Sequence, residues 1–310
     1  MLFRINQNKM RYLLSFLTGL VLFSCAAPTQ DTADDKIKVV CTTSIMTDWV
    51  SNVASDKMEV LPLLKVGIDP HVYKPSKKDL DLLRDADVIV YHGLHLEGKI
   101  IEVLEHMNDK LIIDAAKNFP DELIIRDPNF PASTDPHAWF DKALAQNSIK
   151  TIVGELSQFY SEESAGLLEN MESYFTAMDE VAVEVDSIIS TIPQEQRLVI
   201  TTHDALSYFA RQYGLRVKTL QGASTVSEFG LREITDLVDF IVEAKVPAIF
   251  LENIVSPQAM ESVQRGCASK GFEVEIGPEL LSDSLGSEQD QNTYFKMLIF
   301  NAKTIAEYLK

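Results

Sequence analysis

Three histidines and one aspartate, His71, His137, His203 and Asp283, each sit in a short turn-like motif beyond a strand-like run. The runs are Val60–Leu64 before Asp69-Pro70-His71, Leu111–Asp114 ahead of Asp135-Pro136-His137, Leu198–Thr202 before His203, and Phe272–Ile276 ahead of Asp283. In open α/β sheets, ligands bind beyond the carboxyl ends of strands, so four metal-capable side chains are placed to converge on one cleft. Imidazole nitrogen suits zinc and other late first-row ions, and a carboxylate oxygen adds charge that partly neutralises a dication. Taken singly, a loop histidine is an ordinary surface or hydrogen-bonded residue. Together they are less easily set aside: half of the six histidines occupy comparable strand-end positions, two of them in Asp-Pro-His turns.

The other three histidines read differently. His92 and His95 flank Gly93-Leu94 after a strand without a further Cys or His nearby, and local hydrogen bonding is the expected role of that pair. His106 falls near Glu102 and Glu105 and is expected on a solvated face. Asp69 and Asp135 stand two residues before their histidines and either orient the imidazoles or make Asx turns before proline, the turn being the preferred reading. No GxSxG elbow, GxxxxGK[ST] loop, HExxH or CxxC occurs.

The elements that must position these groups follow from periodicity. Residues 37–160 alternate runs rich in Val, Ile and Leu (Ile37–Thr42, Met58–Leu64, Asp87–Tyr91, Leu111–Asp114) with helical stretches, the order of a parallel sheet covered on both faces. Ser76 is expected to cap a helix, with Asp79 reaching back. From Ser161 to Ser190, Leu167, Met171, Tyr174, Met178, Val181, Val185 and Ile188 recur every three or four residues, which predicts one long helix with Ser161 as N-cap, ended by Pro193. Beyond it the alternation resumes: strands at Leu198–Thr202, Val217–Leu220, Ala248–Leu251 and Val274–Ile276, and helices at Ala205–Tyr213, Glu228–Ala244, after Ser256-Pro257, and Asn292–Tyr308. The predicted fold is α/β, with two parallel-sheet lobes joined by one long rigid helix and the metal site in the cleft between them. The predicted boundaries are 37–160 for the N-lobe, 161–192 for the connecting helix and 193–310 for the C-lobe.

Residues 1–24 carry Arg4, Lys9 and Arg11, no acid, and an apolar stretch too short for the roughly 20 residues a bilayer span needs, which reads as a secretory signal peptide. Leu22-Phe23-Ser24-Cys25 resembles a lipobox, so Cys25 is the expected site of lipidation, ordinary secretion with an idle Cys25 being the alternative. Residues 25–36 read as a flexible tether. The net charge of −18, more negative once the leader is gone, argues against nucleic acid as a partner and favours cations over anions. Cys41 and Cys267 have no pairing pattern and are expected to be buried thiols.

At these residues a resemblance becomes specific. Gly67-Ile68-Asp69-Pro70-His71-Val72-Tyr73, Tyr91-His92-Gly93-Leu94-His95-Leu96-Glu97, Asp135-Pro136-His137-Ala138-Trp139-Phe140-Asp141, Thr202-His203-Asp204-Ala205-Leu206-Ser207-Tyr208-Phe209 and Ser282-Asp283-Ser284-Leu285-Gly286 resemble, in order, the motifs of metal-type solute-binding proteins of ABC transporters. That family includes zinc- and manganese-uptake binding proteins and adhesin-type lipoproteins. The resemblance implies metal ligands at His71, His137, His203 and Asp283, and a monomer, lipid-anchored on the outer side of the cytoplasmic membrane or in the periplasm. It would capture one divalent ion per chain, zinc first, then manganese or ferrous iron, and deliver it to a membrane permease; it would not be an enzyme. Two departures stand out: residues Lys117–Thr134 lack the histidines of some zinc-uptake members, and His92 stands where many relatives have Asn. The competing readings are a zinc hydrolase using the same His3Asp set, which would need a coordination position open for water, and an adhesin-type surface lipoprotein. Because imidazole must be deprotonated to bind, affinity is expected to fall below about pH 6.5.

Overall fold

The computed structural model describes residues 36–126, 133–226 and 229–310. The leader, Cys25, the tether up to residue 35, residues 127–132 and the predicted helix start at Glu228 lie outside the described residues. Four strands, β1 (Ile37–Cys41), β2 (Met58–Pro62), β3 (Val88–Tyr91) and β4 (Leu111–Asp114), form a sheet in the order β2-β1-β3-β4, every pair parallel. Helices α1 (Ser44–Val53), α2 (Lys77–Asp85) and α3 (Gly98–Leu104) make the crossovers.

Strand alternation explains why both faces are covered. Val39, Cys41, Val88 and Val90 face one apolar cluster, while Val40 and Ile89 face another with Leu64, Leu83 and Ile100. Buried on both sides, such strands read as near-continuous apolar runs. The capping box expected at α2 is present: Ser76 Oγ accepts from Asp79 N, and Asp79 Oδ2 accepts from Ser76 N at 2.7 Å.

A helix the sequence reading did not assign, α4 (Lys142–Phe159), precedes the connecting helix, capped by Asp141 Oδ1, which accepts from Leu144 N at 3.1 Å. The connecting helix itself is α5, Ser164–Ile189, about 39 Å long at the α-helical rise. Ser161 does not cap it. Glu163 holds the N-cap position without a side-chain cap bond and pairs with Lys57 instead, at 2.9 Å. Leu167, Met171, Tyr174, Phe175, Met178, Val185 and Ile189 are its buried face, with Tyr174 stacked on Phe295 at 4.5 Å. Each such side chain contributes about 1.5–3 kcal/mol on burial, so a charge at Met178 would break this seam.

The second half holds β5 (Leu198–Thr201), α6 (Ser207–Tyr213), β6 (Arg216–Thr219), α7 (Leu231–Ala244), β7 (Ala248–Glu252), α8 (Gln258–Ser269), β8 (Glu275–Leu280) and α9 (Tyr294–Tyr308). β5 pairs with β6 and β7 with β8, both parallel. Gly214 closes α6 in the left-handed conformation, as expected of a C-cap glycine. Ser256 does not cap α8; Pro257 occupies the N-cap position. β8 runs past Gly277-Pro278 to Leu280, with a bulge opposite Phe250 and Glu252. Cys41 and Cys267 are buried free thiols, as expected.

The architecture is α/β, with two lobes bridged by α5. Their packing is continuous: Val39 and Trp49 of the first half and Val199, Phe250 and Leu309 of the second share one apolar cluster with the buried face of α5. Beyond the ends of β2, β5, β7 and β8, the chain turns into the cleft where the lobes meet.

Candidate metal centre

The loop after β2 delivers His71. Its shape is an Asx turn, in which Asp69 Oδ1 accepts from His71 N at 2.8 Å. The second Asp-Pro-His turn repeats this, with Asp135 Oδ1 accepting from His137 N at 2.9 Å, but the same oxygen also lies 2.7 Å from His137 Nδ1. Asp135 therefore both shapes the turn and orients the ring, whereas Asp69 shapes its turn without holding the His71 ring. His203 follows β5, and Asp283 follows β8.

These four side chains meet. Their ligand atoms all lie within 4.8 Å of one another. His137 Nε2 is 3.4 Å from His71 Nε2 and 3.3 Å from His203 Nε2. Two nitrogens about 2.0–2.1 Å from a tetrahedral zinc are separated by about 3.3–3.4 Å, so the spacing is that of a coordination sphere. Asp283 offers both oxygens: Oδ1 is 3.2 Å from His137 Nε2, and Oδ2 is 3.1 Å from His71 Nε2 and 3.6 Å from His203 Nε2. The imidazole planes are inclined at 59°, 84° and 68° to one another, so the three lone pairs approach from different directions.

The residue that sequence reasoning missed is Glu252, at the end of β7. Its Oε2 accepts from Thr202 N at 3.0 Å and His203 N at 2.8 Å, and Oε1 lies 2.7 Å from His203 Nδ1, at ion-pair distance though not in good hydrogen-bond alignment. A carboxylate on Nδ1 fixes the tautomer that leaves Nε2 free to bind. Asp135 does the same for His137. One signal was available in the sequence: an acid closing an otherwise apolar strand, one residue beyond the predicted end at Leu251.

The cluster is almost dry, with His137, His203 and Asp283 at most 1 % exposed. Burial lowers the affinity of His137 for a proton, but Asp283 and Asp135 outweigh it and hold the imidazole up at about 9. Burial opposes protonation of His203 too, and Glu252 and Asp283 raise it well above the usual histidine range. For Asp283, burial favours the neutral acid, and His137 and His203 reverse this and hold it far below the carboxylate range. Both shifts favour the protonated imidazoles, so protons compete with a metal at a higher pH than an unperturbed imidazole would allow.

The remaining histidines stay apart. His106 and His95 are exposed, His95 at a positive φ of 64°. His92 departs from the expected local hydrogen bonding: its ring is fully buried, the ring's one polar contact is with the Pro136 backbone rather than a sequence neighbour, and burial lowers it to about 3. It packs edge-on against Trp139 at 5.0 Å, and Trp139 in turn packs against His137 at 5.2 Å.

Residues 39–308 match the family model described as zinc-uptake complex component A, periplasmic (ZnuA). The manganese-binding lipoprotein MntA of Bacillus subtilis is 35 % identical over 281 residues, covering 90 % of this chain and 91 % of the relative. The zinc-binding protein TroA of Treponema pallidum is 34 % identical over 301 residues, covering 96 % of each. The solved structure of periplasmic zinc-binding TroA superposes with a TM-score of 0.85 at 33 % identity, covering 88 % of this chain and 99 % of that one. Together with the ordered His3Asp cluster, these matches establish that the chain belongs to the ZnuA family of metal-type solute-binding components of ABC transporters.

Proposed function

We propose that this protein captures one divalent transition-metal ion outside the cytoplasmic membrane and hands it to an ABC permease, using His71, His137, His203 and Asp283 as ligands. The observation that carries this is the 3.3–3.4 Å spacing of the imidazole nitrogens within a buried cluster. Two lobes, 37–160 and 193–310, would supply two ligands each, with 161–192 as the brace. The leader and Cys25 would place a lipid-anchored monomer on the outer side of the cytoplasmic membrane or in the periplasm; among the described residues no helix is long and apolar enough to cross a membrane.

The cargo is zinc or manganese. A nitrogen-rich set favours zinc by the Irving–Williams order, and both oxygens of Asp283 are within reach of the cluster, which would also suit manganese or ferrous iron. The named relatives divide in the same way, MntA with manganese and TroA with zinc. Uptake in cells lacking the gene tests the cargo: only the ion this protein delivers becomes growth-limiting, and unchanged uptake of both would refute the transport role.

The hydrolase reading fares worse on a specific observation. Asp135 and Glu252 each have a carboxylate oxygen 2.7 Å from an imidazole Nδ1, on the far side of the ring from the Nε2 atoms beside which a metal-bound water would sit.

A further inference from the structure

His71 is the most exposed of the four, at 6 % against 0–1 % for the others, so an ion entering or leaving the cluster passes it. Apart from Pro70 and His71, which are buried, the segment that carries it, Val66–Val72, has little core packing: Val66, Ile68 and Val72 are 46 %, 37 % and 49 % exposed. Instead it is fastened to the opposite lobe at two points. Gly67 N donates to Ser284 Oγ at 2.8 Å, and Thr225 Oγ1 donates to Asp69 Oδ2 at 2.7 Å.

Both fastenings reach ligands. The other oxygen of Asp69 holds His71 N, so the Thr225 bond acts on the His71 backbone through one carboxylate. Ser284 adjoins Asp283, and its hydroxyl lies 3.3 Å from Ser44 Oγ, which accepts from Leu285 N at 3.0 Å. Asp69, Val72 and Thr225 also border a cavity of about 550 Å³ whose wall includes Thr202, the neighbour of His203. Releasing the two fastenings would free the His71 loop beside an existing opening without separating the lobes.

We propose that Val66–Val72 is the gate of the metal site, and that Thr225 and Ser284 are positioning residues that hold it shut and set the rate of metal release. This rests on the metal-binding reading above. The test loads the full-length protein with zinc, mixes it with excess chromogenic chelator, and follows release by stopped flow. Thr225→Val and Ser284→Ala should each release zinc about fivefold faster, the change set by one hydrogen bond of ordinary net strength, and the double variant about 25-fold faster. Stoichiometry and association rate should stay at wild-type values, the metal-free melting temperature should fall by no more than about 2–4 °C per bond removed, and Thr225→Ser should restore slow release. Arg211→Gln, which loses contacts to Leu123 O and Asp141 away from this segment, should release zinc as the wild type does. A double variant within twofold of wild type, a Thr225→Ser as fast as Thr225→Val, an equal acceleration by Arg211→Gln, or a lowered metal-free melting temperature with unchanged release would each overturn the gate. Failure of the wild-type chain to hold zinc would overturn the metal-binding reading, and the gate with it.

Discussion

Replacing Glu252 by glutamine keeps the shape of a buried side chain and removes its charge. The structure sets the size of the effect. Glu252 Oε2 serves two backbone N–H groups while Oε1 faces His203 Nδ1. If the amide oxygen keeps the N–H groups, the amide NH2 faces Nδ1, which must then accept, and the proton moves to the Nε2 that should bind metal. If the amide flips, its NH2 faces Thr202 N and His203 N, donor against donor, and each unsatisfied buried group costs about 1–3 kcal/mol. Either way zinc affinity should fall about 10- to 100-fold, or about 1.4–2.8 kcal/mol. Titrating metal-free protein against a calibrated chelator at pH 7.5 measures this. The gap should narrow toward pH 6, because wild-type His203, held well above the usual range by Glu252 and Asp283, suffers the stronger proton competition. A Glu252→Gln affinity within twofold of wild type would refute the claim that this carboxylate sets the His203 tautomer.

Three further outcomes are expected. His137 is raised to about 9 when folded, against about 6.5 unfolded, so its contribution to metal-free stability is complete below pH 6.5 and lost as pH rises through 9. Metal affinity runs the opposite way and climbs over the same window; metal-free melting temperatures and chelator titrations from pH 6 to 9 check both, and a flat affinity would contradict the buried imidazole site. Because one apolar cluster spans both lobes and α5 contains no proline, its glycine Gly166 lying in its first turn, metal-free and loaded protein should give nearly coincident scattering profiles; a change in radius of gyration of several ångströms would indicate wide hinge opening. Zinc should displace manganese in direct competition, and equal or tighter manganese binding would show that Asp283 geometry rather than the nitrogen set governs selectivity.

Much of this site was legible because its ligands follow strand ends, where periodicity stops and turn chemistry begins. Asp-Pro-His names its own turn, and the structure makes both as Asx turns. What was not legible depends on contacts distant in sequence. Glu252 meets His203 across 49 residues, and Ser284 meets Gly67 across 217, and no local pattern encodes either. The break before α5 was legible to within three residues, at Ser161, whereas α4 itself went unassigned. β8 was cut short at Ile276 because Gly277-Pro278 reads as a turn, although a strand with one unpaired edge tolerates proline. His92 was misjudged for a related reason: its burial against Trp139 arises from the fold, not from its neighbours.

The central claim is that one divalent ion sits among His71, His137, His203 and Asp283. Metal content by mass spectrometry, after zinc loading and desalting, tests it most directly in the wild type and in the four single alanine variants. The account predicts one zinc per wild-type chain and a large loss in every variant; two or more variants that keep a full equivalent of zinc would contradict it.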